Sequence, residues 1–313
     1  MIKCQQNEAE FSKDLTDIIE LLKQIAKKVD ASNWELESEY SIIKKGLNSS
    51  LSKFDLESVS KAISMLRPKA ENGERVAAVL LSLIGGNKAV SSLIAYTLCF
   101  DNEDGDHAEI AEEMEFIFSQ MSKDVVIELI DALNNATKGN SEARGNTEVT
   151  RRSIAGALGE IADESAIEIL IKTLKLENSG EDYVTAQNCI YSLSVFEDAR
   201  AAKAIVDALE HGDGDVERVA RNMLRYNLIE GSFNKEPIRC EAINSMIDFL
   251  QSEDNSVIMN SASVLGDICA ERAIEPIEEI ISSRQELPPG VSDYLEKTLT
   301  KIHAGNIYIE GEI

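Results

Sequence analysis

Residues 158–174, LGEIADESAIEILIKTL, return at 265–281 as LGDICAERAIEPIEEII, with seven of the 17 aligned positions identical. A third copy lies between them, because residues 185–209 overlay residues 150–174 at a shift of 35. The longer shift of 107 residues is close to three such units. Self-similarity at a period of about 20 to 50 residues indicates stacked supersecondary units. We therefore predict a repeat array rather than a globule with one closed core.

Each repeat reads as two amphipathic helices separated by a short polar turn. Apolar side chains recur at helical spacing in residues 149–161 and again in residues 164–176. Asp163 lies at the turn of the first unit, and Asp198 repeats the arrangement in the next. An acidic side chain there can accept hydrogen bonds from the orphan amides that begin the second helix. The low aromatic content of 5% and the five prolines also favour an all-α chain.

The repeat pattern weakens toward both ends of the chain. Clear repeats span residues 149–304, and weaker matches span residues 71–136. Residues 1–70 carry helical periodicity without a repeat and are predicted to form a divergent N-terminal cap. Residues 305–313 alternate apolar and polar side chains and are predicted to be a C-terminal tail. We expect these parts to form a single continuous solenoid.

The acidic composition restricts the classes of partner. The formal net charge is −25, from 56 acidic and 31 basic residues. Binding to nucleic acid depends on Lys and Arg, and anionic membrane surfaces attract basic segments, so we expect neither as a partner. A basic protein partner stays open, as does a charge that serves solubility alone.

The sequence also bears on compartment and thiol chemistry. Residues 1–11 lack an apolar core of signal-peptide length, and the apolar stretch at 76–84 is too short to span a bilayer. We therefore expect a cytoplasmic protein.

The five cysteines are widely spaced and form no CxxC pair, which indicates reduced, buried thiols.

A resemblance to a known family rests on residues 150–163, which read T-R-x-x-I-A-x-A-L-G-x-I-x-D, and residues 166–174, which read A-I-x-x-L-I-x-x-L. This pattern resembles the HEAT repeat in its short, phycobilisome-lyase-like form. The resemblance implies an all-α, right-handed, armadillo-like α-solenoid of stacked antiparallel helix pairs, with the first helix of each pair on the concave side. The family includes scaffolds, transport factors, chromophore-lyase subunits and a metal-dependent hydroxylase, so the resemblance is specific for fold and weak for function.

The chain departs from the family pattern in the later repeats. The family often carries an Arg near the start of the first helix and an Asp at its end, which link neighbouring repeats. Both are present here as Arg151 and Asp163, whereas the next unit keeps Asp198 alone and the later units keep neither. We therefore expect less regular stacking after Leu224, where the irregular stretch at 230–237 also intervenes.

No local motif indicates catalysis or metal binding. The hydroxylase branch of the family binds its metals through His-Glu pairs, but none of His107, His211 and His303 is followed by Glu. No GxSxG, paired Cys and His or glycine-rich phosphate loop is visible. We predict no catalytic residue, no metal and no cofactor.

The solvent-facing positions of the first helices, taken from the repeat alignment, form the predicted binding surface. Amides with an occasional Tyr, Arg or Met suit a protein interface, and they equally suit an ordinary hydrated face. Arg218, Arg221 and Arg225 share one helical face, where they can bind an anion or pair with nearby carboxylates. The predicted surface comprises Arg152, Ser153, Glu160, Gln187, Asn188, Tyr191, Arg218, Arg221, Asn222, Arg225, Met259, Asn260, Ser263 and Asp267.

These patterns favour a non-catalytic scaffold or assembly factor that binds a protein or peptide along its concave face. The alternative is a chromophore-lyase-like subunit or maturation factor, which only the repeat subtype implies.

Overall fold

A computed structural model describes residues 107–121, 123–138, 147–178, 183–211, 214–283 and 288–305, together with residues 90, 91, 93, 94 and 97. Within these residues the regular structure is helical, without a strand. The predicted N-terminal cap at 1–70, most of the weaker repeats before residue 107 and the tail after Gly305 lie outside them.

The described residues contain eleven α-helices, which agree with the helix pairs predicted from the repeats. They are α1 (His107–Ser119), α2 (Val126–Thr137), α3 (Glu148–Ile161), α4 (Ile167–Glu177), α5 (Tyr183–Leu193), α6 (Ala199–His211), α7 (Gly214–Ile229), α8 (Ile238–Phe249), α9 (Asn255–Asp267), α10 (Ile274–Ser283) and α11 (Pro289–Ala304). Single 3-10 turns at Lys123–Val125, Glu164–Ala166 and Glu271–Ala273 precede α2, α4 and α10.

Acidic side chains accept backbone amides at two of the turns that lead into second helices, as the sequence predicts. Asp163 Oδ1 accepts hydrogen bonds from the amide of Ser165 at 3.0 Å and from its hydroxyl at 2.6 Å. Asp198 Oδ1 likewise accepts the amide of Arg200 at 2.8 Å, at the start of α6. Asp163 thereby caps the 3-10 turn that leads into α4, and Asp198 caps the start of α6, so the polarity of these two turns has a structural cause.

The turn itself repeats in backbone conformation. Ala162 and Cys269 occupy equivalent positions in the two most similar repeats, and both adopt the left-handed region with φ of 52°. This conformation ends a helix and turns the chain toward the next one. Residues other than glycine adopt it at an energetic cost, so the surrounding packing must hold both turns in place.

Two compact units divide the chain: Met1–Ala132 with Gly139–Ile154, and Leu133–Lys138 with Ala155–Ile313. In the first unit, Met114, Ile117 and Phe118 of α1 are fully buried. Thr97 Oγ1 and Thr150 Oγ1 share a buried hydrogen bond of 2.5 Å in the same unit. The predicted continuity of the repeats along the whole chain stays a prediction.

The second unit consists of two rows of helices. The first-helix row contains the end of α3 followed by α5, α7, α9 and α11, in which α5 packs on α7, α7 on α9 and α9 on α11. The second-helix row contains α4, α6, α8 and α10, in which α4 packs on α6 and α6 on α8. Contacts of α4 with α5, α6 with α7, α8 with α9 and α10 with α11 join the rows. Stacked helix pairs, as predicted, therefore build this unit.

Repeat-equivalent leucines form the core between the rows. Leu158, Leu193, Leu224 and Leu265 occupy the same position in four successive first helices, and all four are fully buried. Burying a leucine side chain contributes roughly 1.5–3 kcal/mol. The helical spacing of apolar residues thus identified the buried face correctly.

A repeated glycine allows successive first helices to approach closely. A Cβ built at Gly159 of α3 would lie 2.5 Å from Ser192 Oγ and 2.7 Å from Ser192 Cα of α5. The Ser192 hydroxyl in turn donates a hydrogen bond of 2.8 Å to the Ala155 carbonyl. At the equivalent Gly266 of α9, the nearest atom to a Cβ would be the methyl group of Thr298 on α11, at 3.1 Å, followed by Lys301 Cδ at 3.6 Å. The contact at Gly159 is therefore the tighter of the two.

The irregular stretch at 230–237 is anchored against the preceding repeat. Phe233 is fully buried, and Ser232 Oγ donates to the Val195 carbonyl at 3.1 Å. Lys235 Nζ pairs with Glu197 Oε1 at 2.6 Å. Because α7 packs on α9 and α6 packs on α8, both rows continue past this stretch. The irregularity expected after Leu224 does not interrupt them.

Replacing Gly159 by alanine should destabilise the second unit, because Ser192 backbone atoms would have to move. We expect Gly159→Ala to lower the free energy of unfolding by about 2 kcal/mol, since overpacking outweighs the gain of about 1 kcal/mol in helix propensity. Gly266→Ala is the matched control and should lie within about 1 kcal/mol of the natural protein, because a methyl group can shift by a few tenths of an ångström. Urea unfolding followed by circular dichroism measures both, and equal losses would contradict the assignment.

The hydrogen bonds that Asp198 accepts should make the free energy of unfolding depend on pH in the acidic range. The hydrogen bond from the Arg200 side chain is the main cause that lowers the pKa of Asp198 below its ordinary value of 3.8. A carboxyl whose pKa is lowered by folding contributes stability above its unfolded pKa and loses it as the pH falls through the folded value. Asp198→Asn keeps an acceptor for the helix amides but lacks the charge. The difference in unfolding free energy between Asp198→Asn and the natural protein should therefore shrink below about pH 3.8; a difference independent of pH would contradict this.

Candidate functional site

The structure places the predicted surface residues in three classes of exposure. Arg152 and Ser153 belong to the first unit, and the others belong to the second. Glu160, Tyr191 and Arg218 are exposed. Half-buried residues are Arg152, Gln187, Asn188, Arg221, Asn222, Arg225, Met259 and Ser263. Ser153, Asn260 and Asp267 are buried.

The three buried residues correct the predicted surface. Ser153 is fully buried, and its hydroxyl donates to the Val149 carbonyl at 2.6 Å within the same helix. A serine hydroxyl that bonds to a carbonyl one turn earlier needs no water, so it can lie inside. Asn260 and Asp267 are buried because partners on neighbouring helices satisfy them.

Asn260 is a buried hydrogen-bonding centre between α7 and α9. Its Oδ1 accepts a hydrogen bond of 2.5 Å from Arg221 Nη1. Its Nδ2 donates to Glu217 Oε2 at 2.8 Å and to the Leu209 carbonyl at 3.4 Å. Both donors and the acceptor of the amide are used, which makes its burial energetically acceptable. Asn260 therefore serves packing.

Asp267 joins three first helices through charge. Arg225 of α7 donates to Asp267 Oδ2 at 3.3 Å, and Lys301 of α11 donates to Oδ1 at 2.7 Å. Arg225 also donates to Asn222 Oδ1 at 2.8 Å. The hydrogen bond to Asp267 is the main cause that raises the pKa of Lys301. We call Arg225, Asp267 and Lys301 the charge bridge.

Internal partners largely occupy Arg218, Arg221 and Arg225, which we call the arginine stripe. Arg221 bonds to Asn260, and Arg225 bonds to Asp267 and Asn222. Arg218, which is the exposed member, pairs with Asp215 at 3.2 Å. Carboxylates and amides of the same unit therefore engage all three side chains.

Two exposed apolar side chains were not predicted from the sequence: Val195, in the turn that follows α5, and Tyr226, on α7. Val195 and Tyr226 expose 48% and 53% of their surface, close to the 47% of the predicted Tyr191. The repeat alignment contained a signal, because Val195 and Tyr226 align with Glu160 and Asp267. We refer to Tyr191, Val195 and Tyr226 as the tyrosine patch.

The described residues contain no group of three or more His, Cys, Asp and Glu side chains arranged to hold a metal ion. No described helix combines the length and the apolarity needed to cross a bilayer. Among the described cysteines, Cys189 is buried, and Cys240 and Cys269 are half-buried. Burial, followed by the charge of Asp267, raises the pKa of the Cys269 thiol.

Comparison with known proteins supports the repeat assignment. Residues 150–175 match the family model of the PBS lyase HEAT-like repeat. This match covers one repeat and confirms the resemblance predicted from the same residues. Together with the paired helices around it, this match shows a HEAT-like repeat within an array of stacked helix pairs.

No curated protein matches the chain. Among solved structures, the chain is similar to an engineered protein whose crystal structure comes from the Northeast Structural Genomics Consortium. The two share 19% identity over 79% of this chain and 97% of that chain, with a TM-score of 0.32.

Removing the charge at the centre of the charge bridge should destabilise the second unit. Asp267→Asn leaves Arg225 and Lys301 close together without their shared anion. We expect a loss of about 2 kcal/mol, between the values of exposed and buried ion pairs. Glu160→Gln is the matched control at the equivalent repeat position, and because Glu160 is exposed it should stay within about 0.5 kcal/mol of the natural protein. Equal unfolding free energies for the two variants would contradict the bridge.

Proposed function

We propose that this HEAT-like helical repeat protein is a non-catalytic scaffold or assembly factor that binds a protein or peptide along the exposed face of its first-helix row. The observation that carries the proposal is the composition of this face. Gln187, Asn222 and Ser263 are half-buried, and Tyr191 is exposed at 47%. These side chains recur from helix to helix along one edge of the unit, so they offer an extended surface.

The polarity of the face supports a protein partner. Interfaces that form and dissociate combine amide and hydroxyl groups with a few aromatic anchors, and Tyr and Arg carry much of their binding energy. Asn260 and Asp267 hold α7, α9 and α11 together from beneath this face. A surface supported by such cross-helix bonds keeps its shape, which lowers the entropy lost on binding.

The chromophore-lyase-like alternative is supported by the name of the matched repeat family alone. It predicts that bilin added to the pure protein shifts the bilin absorbance spectrum. The scaffold proposal predicts an unchanged spectrum.

Site-specific photo-crosslinking tests the proposed face. A benzoylphenylalanine introduced at Gln187 or at Asn222, on the first-helix row, should form a covalent adduct with a protein partner in the cells that make this protein. The same group at Lys175 is the matched control, because Lys175 is exposed on α4 of the second-helix row. Adducts at 187 and 222 but not at 175 are expected. No adduct from the first-helix row, or equal yields from both rows, would refute the proposal.

A further inference from the structure

We draw no further inference here: the strongest candidate, the exposed apolar patch that Tyr191 of α5, Val195 in the turn after α5 and Tyr226 of α7 form on the second unit, carries none, because nothing in the structure shows what covers it.

Discussion

Close packing of successive first helices is the constraint on which the second unit depends. Gly159 leaves no room for a side chain against Ser192, and the Ser192 hydroxyl bonds back to the Ala155 carbonyl. With the helices this close, the leucines of the repeat become fully buried between the two rows. Three further features return the chain to this spacing between first helices. They are the acidic caps, the left-handed turns at Ala162 and Cys269, and the anchored stretch at 230–237.

In the later repeats, hydrogen bonds and ion pairs between side chains hold neighbouring first helices together. The Arg and Asp pattern of the family is incomplete after the first clear unit, yet the first helices remain stacked. Asn260 connects α7 with α9, and Asp267 connects α7, α9 and α11. The glycine at 266 makes a looser contact than the one at 159, so the charge bridge lies where apolar packing is less tight. Satisfied buried polar groups of this kind favour one register between helices over its alternatives.

These hydrogen bonds and ion pairs also change how the predicted binding surface is interpreted. From the sequence, Arg218, Arg221 and Arg225 could bind an anion or pair with nearby carboxylates, and in the structure they bond to Asp215, Asn260 and Asp267. The side chains that remain available are amides, hydroxyls and the tyrosine patch, next to carboxylates without partners such as Glu160.

The sequence alone determined the helix pairs, the capping acids, the buried leucines and the repeated glycine. Each of these is encoded by local spacing or by recurrence at 35 and 107 residues, and burial follows directly from such patterns. Tertiary structure alone decided that Asn260 and Asp267 lie inside and that Val195 and Tyr226 lie outside. The physical reason is that a polar side chain is buried only where partners satisfy it, and those partners lie 34 to 51 residues away on neighbouring helices.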